Sequence, residues 1–166
     1  YLDICRNNAL RLKDLTDELF GFFLVFGNRT PEQELEQYDA ATLMEQLFRE
    51  AQEELTGQGF AIGLELPENL QGSLQIDLGH LRRVFDNLFS NLRKYADPEK
   101  TVTIRVNASQ NLLEITITNA ILTGSPRVES NKIGLKTCEK LLTAMGGSFR
   151  QSRTADTSTA EGTRPL

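Results

Sequence analysis

The chain contains one histidine, two cysteines and no uninterrupted apolar run of the roughly 18 residues that a membrane-spanning helix needs. Cys5 and Cys138 lie far apart, without companions at metal-ligand spacing. That argues against a disulfide framework or a zinc site and fits a reducing, intracellular setting. Tyr1 to Asn8 has the layout of neither a signal peptide nor a transit peptide. Clustered positive charge is missing as well. The 166 residues carry 18 Lys plus Arg against 23 Asp plus Glu, a net charge of −5, with the basic residues scattered. No nucleic acid is therefore expected as the main partner, and no membrane contact is expected of this segment. Opening on Tyr in mid-pattern, the sequence reads as a soluble piece of a longer protein, of a kind that can be cut from a membrane protein.

What is present begins with a long periodic stretch. Tyr1, Cys5, Asn8, Leu12, Leu15, Leu19, Phe22 and Phe26 alternate spacings of four and three, a heptad seam in which only Asn8 is polar. Such a helix cannot stand alone in water. The spacing predicts that it joins a helical bundle within a dimer, with packing on its own domain as the other solution. Gly27, Asn28 and Pro31 end it, and Thr30 to Glu34 reads as a linker.

Beyond the linker the pattern alternates between α and β. Glu34 to Tyr38 reads as a short strand, and Asp39 as the N-cap of a helix that buries Leu43, Met44, Leu47, Phe48, Ala51 and Leu55 before Gly57. Phe60, Ile62, Leu64 and Leu66 alternate as a strand closed by Pro67, and Leu74 with Ile76 marks another. Asp77 then caps a helix with Leu81, Val84, Phe85, Leu88 and Leu92 on its apolar stripe. Val102, Ile104 and Val106, the polar loop Asn107 to Asn111, and Leu113, Ile115 and Ile117 form a β-hairpin. Leu122 to Lys132 is polar and aperiodic, a loop. A helix from about Gly134 buries Leu135, Cys138, Leu141, Leu142 and Met145 until Gly146-Gly147, and Phe149 begins a strand. The tail from Thr154 to Leu166 is too poor in apolar residues to be placed. The sum is α+β, one antiparallel or mixed sheet with helices on one face.

The stretch FDNLFSNLRKYA, residues 85 to 96, sets Asn87, Asn91 and Lys94 on one line beside the apolar stripe. Asparagine is a mediocre helix former, so two at i and i+4 call for a reason; chance on a half-exposed face is the bland one. NxxxNxxKY on a helix, a hairpin ending in a polar residue, a loop, and IGL opening a helix that ends in GG follow the motif order of one family. From about Glu34 to Phe149 the chain resembles the ATP-binding domain of sensor histidine kinases, in the GHKL ATPase superfamily. The heptad helix is similar to the second helix of the dimerisation and phosphoacceptor bundle of the same kinases. The resemblance implies a two-layer α/β sandwich of the Bergerat type preceded by a long helix. It divides the chain into bundle helix (1–28), linker (29–34) and ATP-binding domain (35–166).

The resemblance also assigns roles. It implies that Asn91 offers its amide oxygen to Mg²⁺, that Asn87 holds or polarises water near the metal as the catalytic residue, and that Lys94 and Tyr95 contact phosphates or wall the pocket. Where the family shows DxGxG the chain reads ITITNAILTG, so Asn119 stands in place of the aspartate that accepts from the adenine amine. An amide accepts such a bond more weakly than a carboxylate; Asn119 as a strand-ending turn residue is the alternative. Where GxGIGL wraps phosphate the chain reads SNKIGL. Ser130 and Lys132 fill glycine positions and would replace amide contacts with hydroxyl and ammonium. Gly134 and Leu135 open a helix whose free amides can meet an anion. His80 lacks the neighbouring acid of a phosphoacceptor and reads as a first-turn residue, so the acceptor histidine is expected outside this segment.

The resemblance thus implies a kinase that uses ATP and Mg²⁺, a homodimer through the N-terminal helix, a response regulator as partner, and a place in the cytoplasmic portion of a membrane-anchored bacterial sensor. Two rivals remain from sequence: a non-catalytic GHKL scaffold, suggested by the eroded glycines, and an anti-sigma serine kinase, which the heptad helix argues against. The family's Gly-Thr turn before the last strand resembles Gly162-Thr163.

Overall fold

The computed structural model describes residues 1–27, 30–122, 131–154 and 156–166. Its elements run α1 (Leu2–Phe26), β1 (Glu36–Asp39), α2 (Ala40–Gly57), β2 (Ile62–Glu65), β3 (Ser73–Ile76), α3 (Leu78–Tyr95), β4 (Val102–Ser109), β5 (Leu112–Ala120), α4 (Asn131–Ala144), β6 (Ser148–Arg153) and β7 (Thr157–Pro165). Five strands form one mixed sheet in the order β2-β4-β5-β7-β6, with only β2 and β4 parallel. β1 and β3 make a separate antiparallel pair. The α+β fold with one mixed sheet, expected from the pattern, and the two-layer sandwich implied by the resemblance are the observed architecture.

Local chemistry explains the boundaries. Asp39 and Asp77 each adopt extended backbone and accept a bond from the N–H three residues on, Thr42 at 3.0 Å and His80 at 3.0 Å, which starts α2 and α3. Gln110 and Asn111 both take positive φ, 51° and 60°, so a two-residue turn of the left-handed kind closes the β4–β5 hairpin. The turn is shorter than the predicted loop because β4 runs on to Ser109. α4 begins at Asn131, three residues before the predicted start, and places Gly134 inside its first turn.

The core lies between the sheet and the helices. Leu47, Phe48 and Leu55 of α2, Val84, Leu88 and Leu92 of α3, and Cys138 and Leu141 of α4 pack in one cluster with Val102, Ile104, Leu113 and Ile117 of the sheet. The alternate sheet positions, such as Arg105 and Asn107, face outward.

Two findings depart from the sequence pattern. The tail, which gave no strand signal, is β7, hydrogen-bonded on both edges, to β5 and to β6. Gly162 and Thr163 lie inside that strand rather than in a turn before it. On its core side the small residues Ser158, Ala160 and Gly162 precede Arg164, opposite Asn119, Ile117, Ile115 and Leu113 of β5, and a Cβ at Gly162 would come within 3.2 Å of Leu142 Cδ1. Helix α4 therefore replaces the apolar alternation with close approach. The second finding concerns α1. One face docks on the domain: Leu24 is buried in the common core, and a Cβ at Gly21 would lie 2.7 Å from Thr137 Oγ1. The opposite heptad seam, including Leu12, Leu15, Leu19, Phe22 and Phe26, stays exposed.

Candidate functional site

Helix α3 organises the site. Asp77 anchors its start, accepting from His80 N through Oδ1 and, at 2.9 Å, from Glu34 N of the preceding segment through Oδ2. Burial alone would raise the Asp77 carboxyl, but the donated backbone N–H bonds outweigh it and hold the group below the usual carboxylate range. His80 sits in this first turn, its Nδ1 3.4 Å from Asp77 Oδ2. The apolar stripe of α3 is buried, joined by Phe89, which leaves Asn87, Asn91 and Lys94 along the border as the periodicity predicts.

These three border residues line a chamber of about 230 Å³. Asp86 and Ser90 of α3 line it too, and the facing walls are Asp14, Asp17, Glu18 and Gly21 of α1 and Ile133, Gly134 and Thr137 of α4. A Cβ added at Gly134 would meet nothing within 4 Å, so the first turn of α4 presents open backbone to the chamber. The α1 wall is acidic, with Asp17 paired to Arg83 and Asp14 to Arg93 at 3.8 Å. Burial raises the Asp17 carboxyl, Arg83 at 3.1 Å offsets that in part, and Asp86 and Asp14 push it up again. Lys13 pairs with Asp86 at 3.1 Å, and Lys140 Nζ donates to the Leu24 carbonyl at 3.0 Å, fastening α1 to α3 and α4.

A second, smaller cavity of about 40 Å³ lies between α3 and the sheet. Leu88, Ile117 and Ala160 give it apolar walls, and Asn91, Tyr95, Asn119, Gln151, Arg153 and Ser158 give it polar ones. Asn119 is only 9% exposed. Its amide nitrogen donates to the Ala120 carbonyl at 2.9 Å, which leaves Oδ1 as its remaining polar atom at the slot. Asn91 borders both cavities.

Asn87, Asn91, Lys94 and Gly134 thus come together around the chamber, and Asn91, Tyr95 and Asn119 around the slot. The Asn87 side chain lies beside the Cys138 thiol, whose pKa burial pushes up to about 12. Leu135 packs against the core and lines neither cavity. Ser130, the side chain of Lys132 and most of the predicted loop lie outside the described residues. The sequence pattern missed the acidic α1 wall, which lies off the heptad seam, and Gln151, Arg153 and Ser158, whose strands carry no alternation. Among the described residues no three His, Cys, Asp or Glu side chains group as metal ligands. An amide oxygen beside scattered carboxylates is a donor set that suits a hard cation keeping most of its waters. No helix among the described residues is long and apolar enough to cross a membrane.

No family model matches the chain. Over 151 residues it is 34% identical to the sensor histidine kinase YrkQ of Bacillus subtilis (strain 168), covering 90% of the chain and 34% of that protein. The chain thus spans about a third of the length of the curated relative it matches. Among solved structures, the catalytic domain of histidine kinase ThkA superposes with a TM-score of 0.62 at 15% identity, over 80% of this chain and 97% of that one. Full-length ShkA in complex with AMPPNP superposes with a TM-score of 0.69 at 17% identity, over 99% of this chain and 38% of that one.

Proposed function

Since the chain belongs to the sensor histidine kinase family, we propose that the slot and the chamber are one Mg-ATP site serving phosphoryl transfer to a histidine outside this segment. The observation that carries the reading is the position of Asn91, on the wall shared by both cavities. A nucleotide with its base in the slot would pass its phosphates across Asn91 into the chamber. Support also comes from the AMPPNP complex of ShkA, which has the same fold.

Each residue then has a task. Asn119 Oδ1 accepts a hydrogen bond from an exocyclic amine of the base, and Tyr95 walls the slot. Asn91 would offer its amide oxygen to Mg²⁺, and Asn87, one helical turn earlier, would hold water beside it. Lys94 adds a compact positive charge, and the first-turn backbone of α4 faces the phosphates. When bound, Mg²⁺ neutralises charge on the phosphate oxygens during transfer. That neutralisation matters more here because Asp14, Asp17 and Glu18 face the same chamber. Catalysis by such a site is positioning and charge compensation.

The remaining assignments follow from this reading. Residues 1–28 are the second helix of a dimerisation bundle and 35–166 the ATP-binding domain. The exposed heptad seam serves a homodimer, a response regulator receives the phosphoryl group, and the segment lies on the cytoplasmic side of a membrane-anchored sensor. The test is calorimetric titration of the folded chain with a non-hydrolysable ATP analogue, with and without Mg²⁺. Saturable binding strengthened by Mg²⁺, in the high-micromolar range of roughly 5 to 6 kcal/mol, is expected. No heat at millimolar ligand would overturn the reading.

A further inference from the structure

The base slot contains no carboxylate. Its polar side chains, Asn91, Tyr95, Asn119, Gln151, Arg153 and Ser158, all carry at least one hydrogen-bond donor. That matters for what the slot can refuse. A carboxylate at the position of Asn119 would be an acceptor only, favouring an amine at purine C6 and repelling a carbonyl. A primary amide has both faces. As it stands, Asn119 donates from Nδ2 to the Ala120 carbonyl and can accept through Oδ1, an arrangement matched to the amine of adenine. Turned over, the amide presents Nδ2 to the O6 of guanine, at the loss of one neutral hydrogen bond, worth about tenfold in affinity.

Arg153 adds to this. It stands on β6 at the slot with no ion-pair partner among the described residues, whereas Arg150 on the same strand is paired with Glu161. A guanidinium fork matches the adjacent O6 and N7 acceptors of guanine; adenine offers it N7 beside a donor. Ser158, in register opposite Asn119 on β7, donates or accepts as either base requires.

We infer that this slot admits guanine as well as adenine nucleotides, with Asn119 as the residue that sets the breadth. The inference rests on reading the two cavities as a nucleotide site. It is tested by titrating the whole chain, in Mg²⁺, with adenylyl imidodiphosphate and guanylyl imidodiphosphate. Both should bind saturably, with affinities within about tenfold of each other. Asn119→Asp should weaken the guanylyl compound at least about tenfold more than the adenylyl one, and Arg153→Ala should weaken the guanylyl compound selectively. A gap wider than tenfold in the unaltered chain overturns the inference and leaves the nucleotide site standing. Failure of both compounds to bind the folded chain overturns both. The comparison in the unaltered chain stands even if a variant does not fold.

Discussion

Asp17 of α1 and Arg83 of α3 lie 3.1 Å apart, and the same guanidinium sits 4.0 Å above the ring of Phe20. One side chain on the helix that carries the site thus holds α1 by charge and by the face of an aromatic ring. The Asp17 carboxyl is raised in the folded chain, by burial first, against the opposing pull of Arg83. An acid with a raised folded-state pKa adds stability that is complete below its unfolded value and is lost as pH rises through the raised one. Docking of α1 should therefore tighten as pH falls from neutral toward the ordinary carboxylate range. Arg83→Ala leaves Asp17 facing Asp86 and Asp14, with Lys13 the cation that remains nearby. It should cost about 1 kcal/mol at pH 7, discounted for the part-exposed guanidinium, and less at pH 5. Thermal unfolding at the two pH values measures it, and adding Asp17→Asn should restore part of the loss.

Two glycines on α4 and just after it should respond in opposite ways to alanine. At Gly147 a Cβ would lie 2.1 Å from the Thr163 carbonyl oxygen and 3.3 Å from that of Leu142, both backbone atoms that cannot swing aside. Gly147→Ala should force β7 from α4 and cost roughly 2 to 4 kcal/mol. At Gly134 a Cβ meets nothing, and the residue is helical, so Gly134→Ala should stabilise by about 0.5 to 1 kcal/mol through backbone entropy. Chemical denaturation of the two variants beside the parent separates these outcomes.

The contrast between α3 and β7 shows how far the sequence could be read. α3 is legible because its apolar residues recur with the helical period and Asp77 supplies a cap three residues before the N–H it binds, so the Asn87–Asn91–Lys94 line could be placed before any coordinates. β7 is silent because TSTAEGTRP has no alternation of size or polarity. Its core side needs small residues where Leu142 presses on Gly162, and small residues carry no periodic signal. For the same reason the slot was legible only from α3 and β5, while Gln151, Arg153 and Ser158 were not. α1 was legible on one face: its seam is regular, but docking uses Asp17, Phe20, Gly21 and Leu24, a mixed row held by ion pairs and close approach.

The two thiols should differ sharply in reactivity. Cys5 is exposed, whereas Cys138 is buried, its Sγ 3.8 Å from the Val84 carbonyl oxygen, with its pKa raised to about 12. The thiolate is the nucleophile, so at pH 8 a disulfide reagent should titrate Cys138 only on unfolding, whereas Cys5 should react in the folded chain under conditions that keep the seam unpaired. Rapid reaction of both in the native state would mean that α3 and α4 part readily.

The position of Asn91 gives a prediction that separates its role from that of its neighbour. Asn91 borders both the slot and the chamber, whereas Lys94 lines only the chamber. If the amide oxygen of Asn91 ligates Mg²⁺, Asn91→Ala should lower affinity for a non-hydrolysable ATP analogue by about tenfold or more in Mg²⁺, since one ligand to a charged centre is lost. In the metal-free titration the same variant should change affinity little. Lys94→Ala should act in the reverse sense. Its ammonium is a point charge for the phosphates, whose need is greatest when Mg²⁺ is absent, so its effect should be larger without the metal than with it. Calorimetry of both variants under both conditions gives four affinities. A loss for Asn91→Ala that is equal with and without Mg²⁺ would move the residue from the metal to the wall of the slot, because only a contact made to the nucleotide itself is indifferent to the cation.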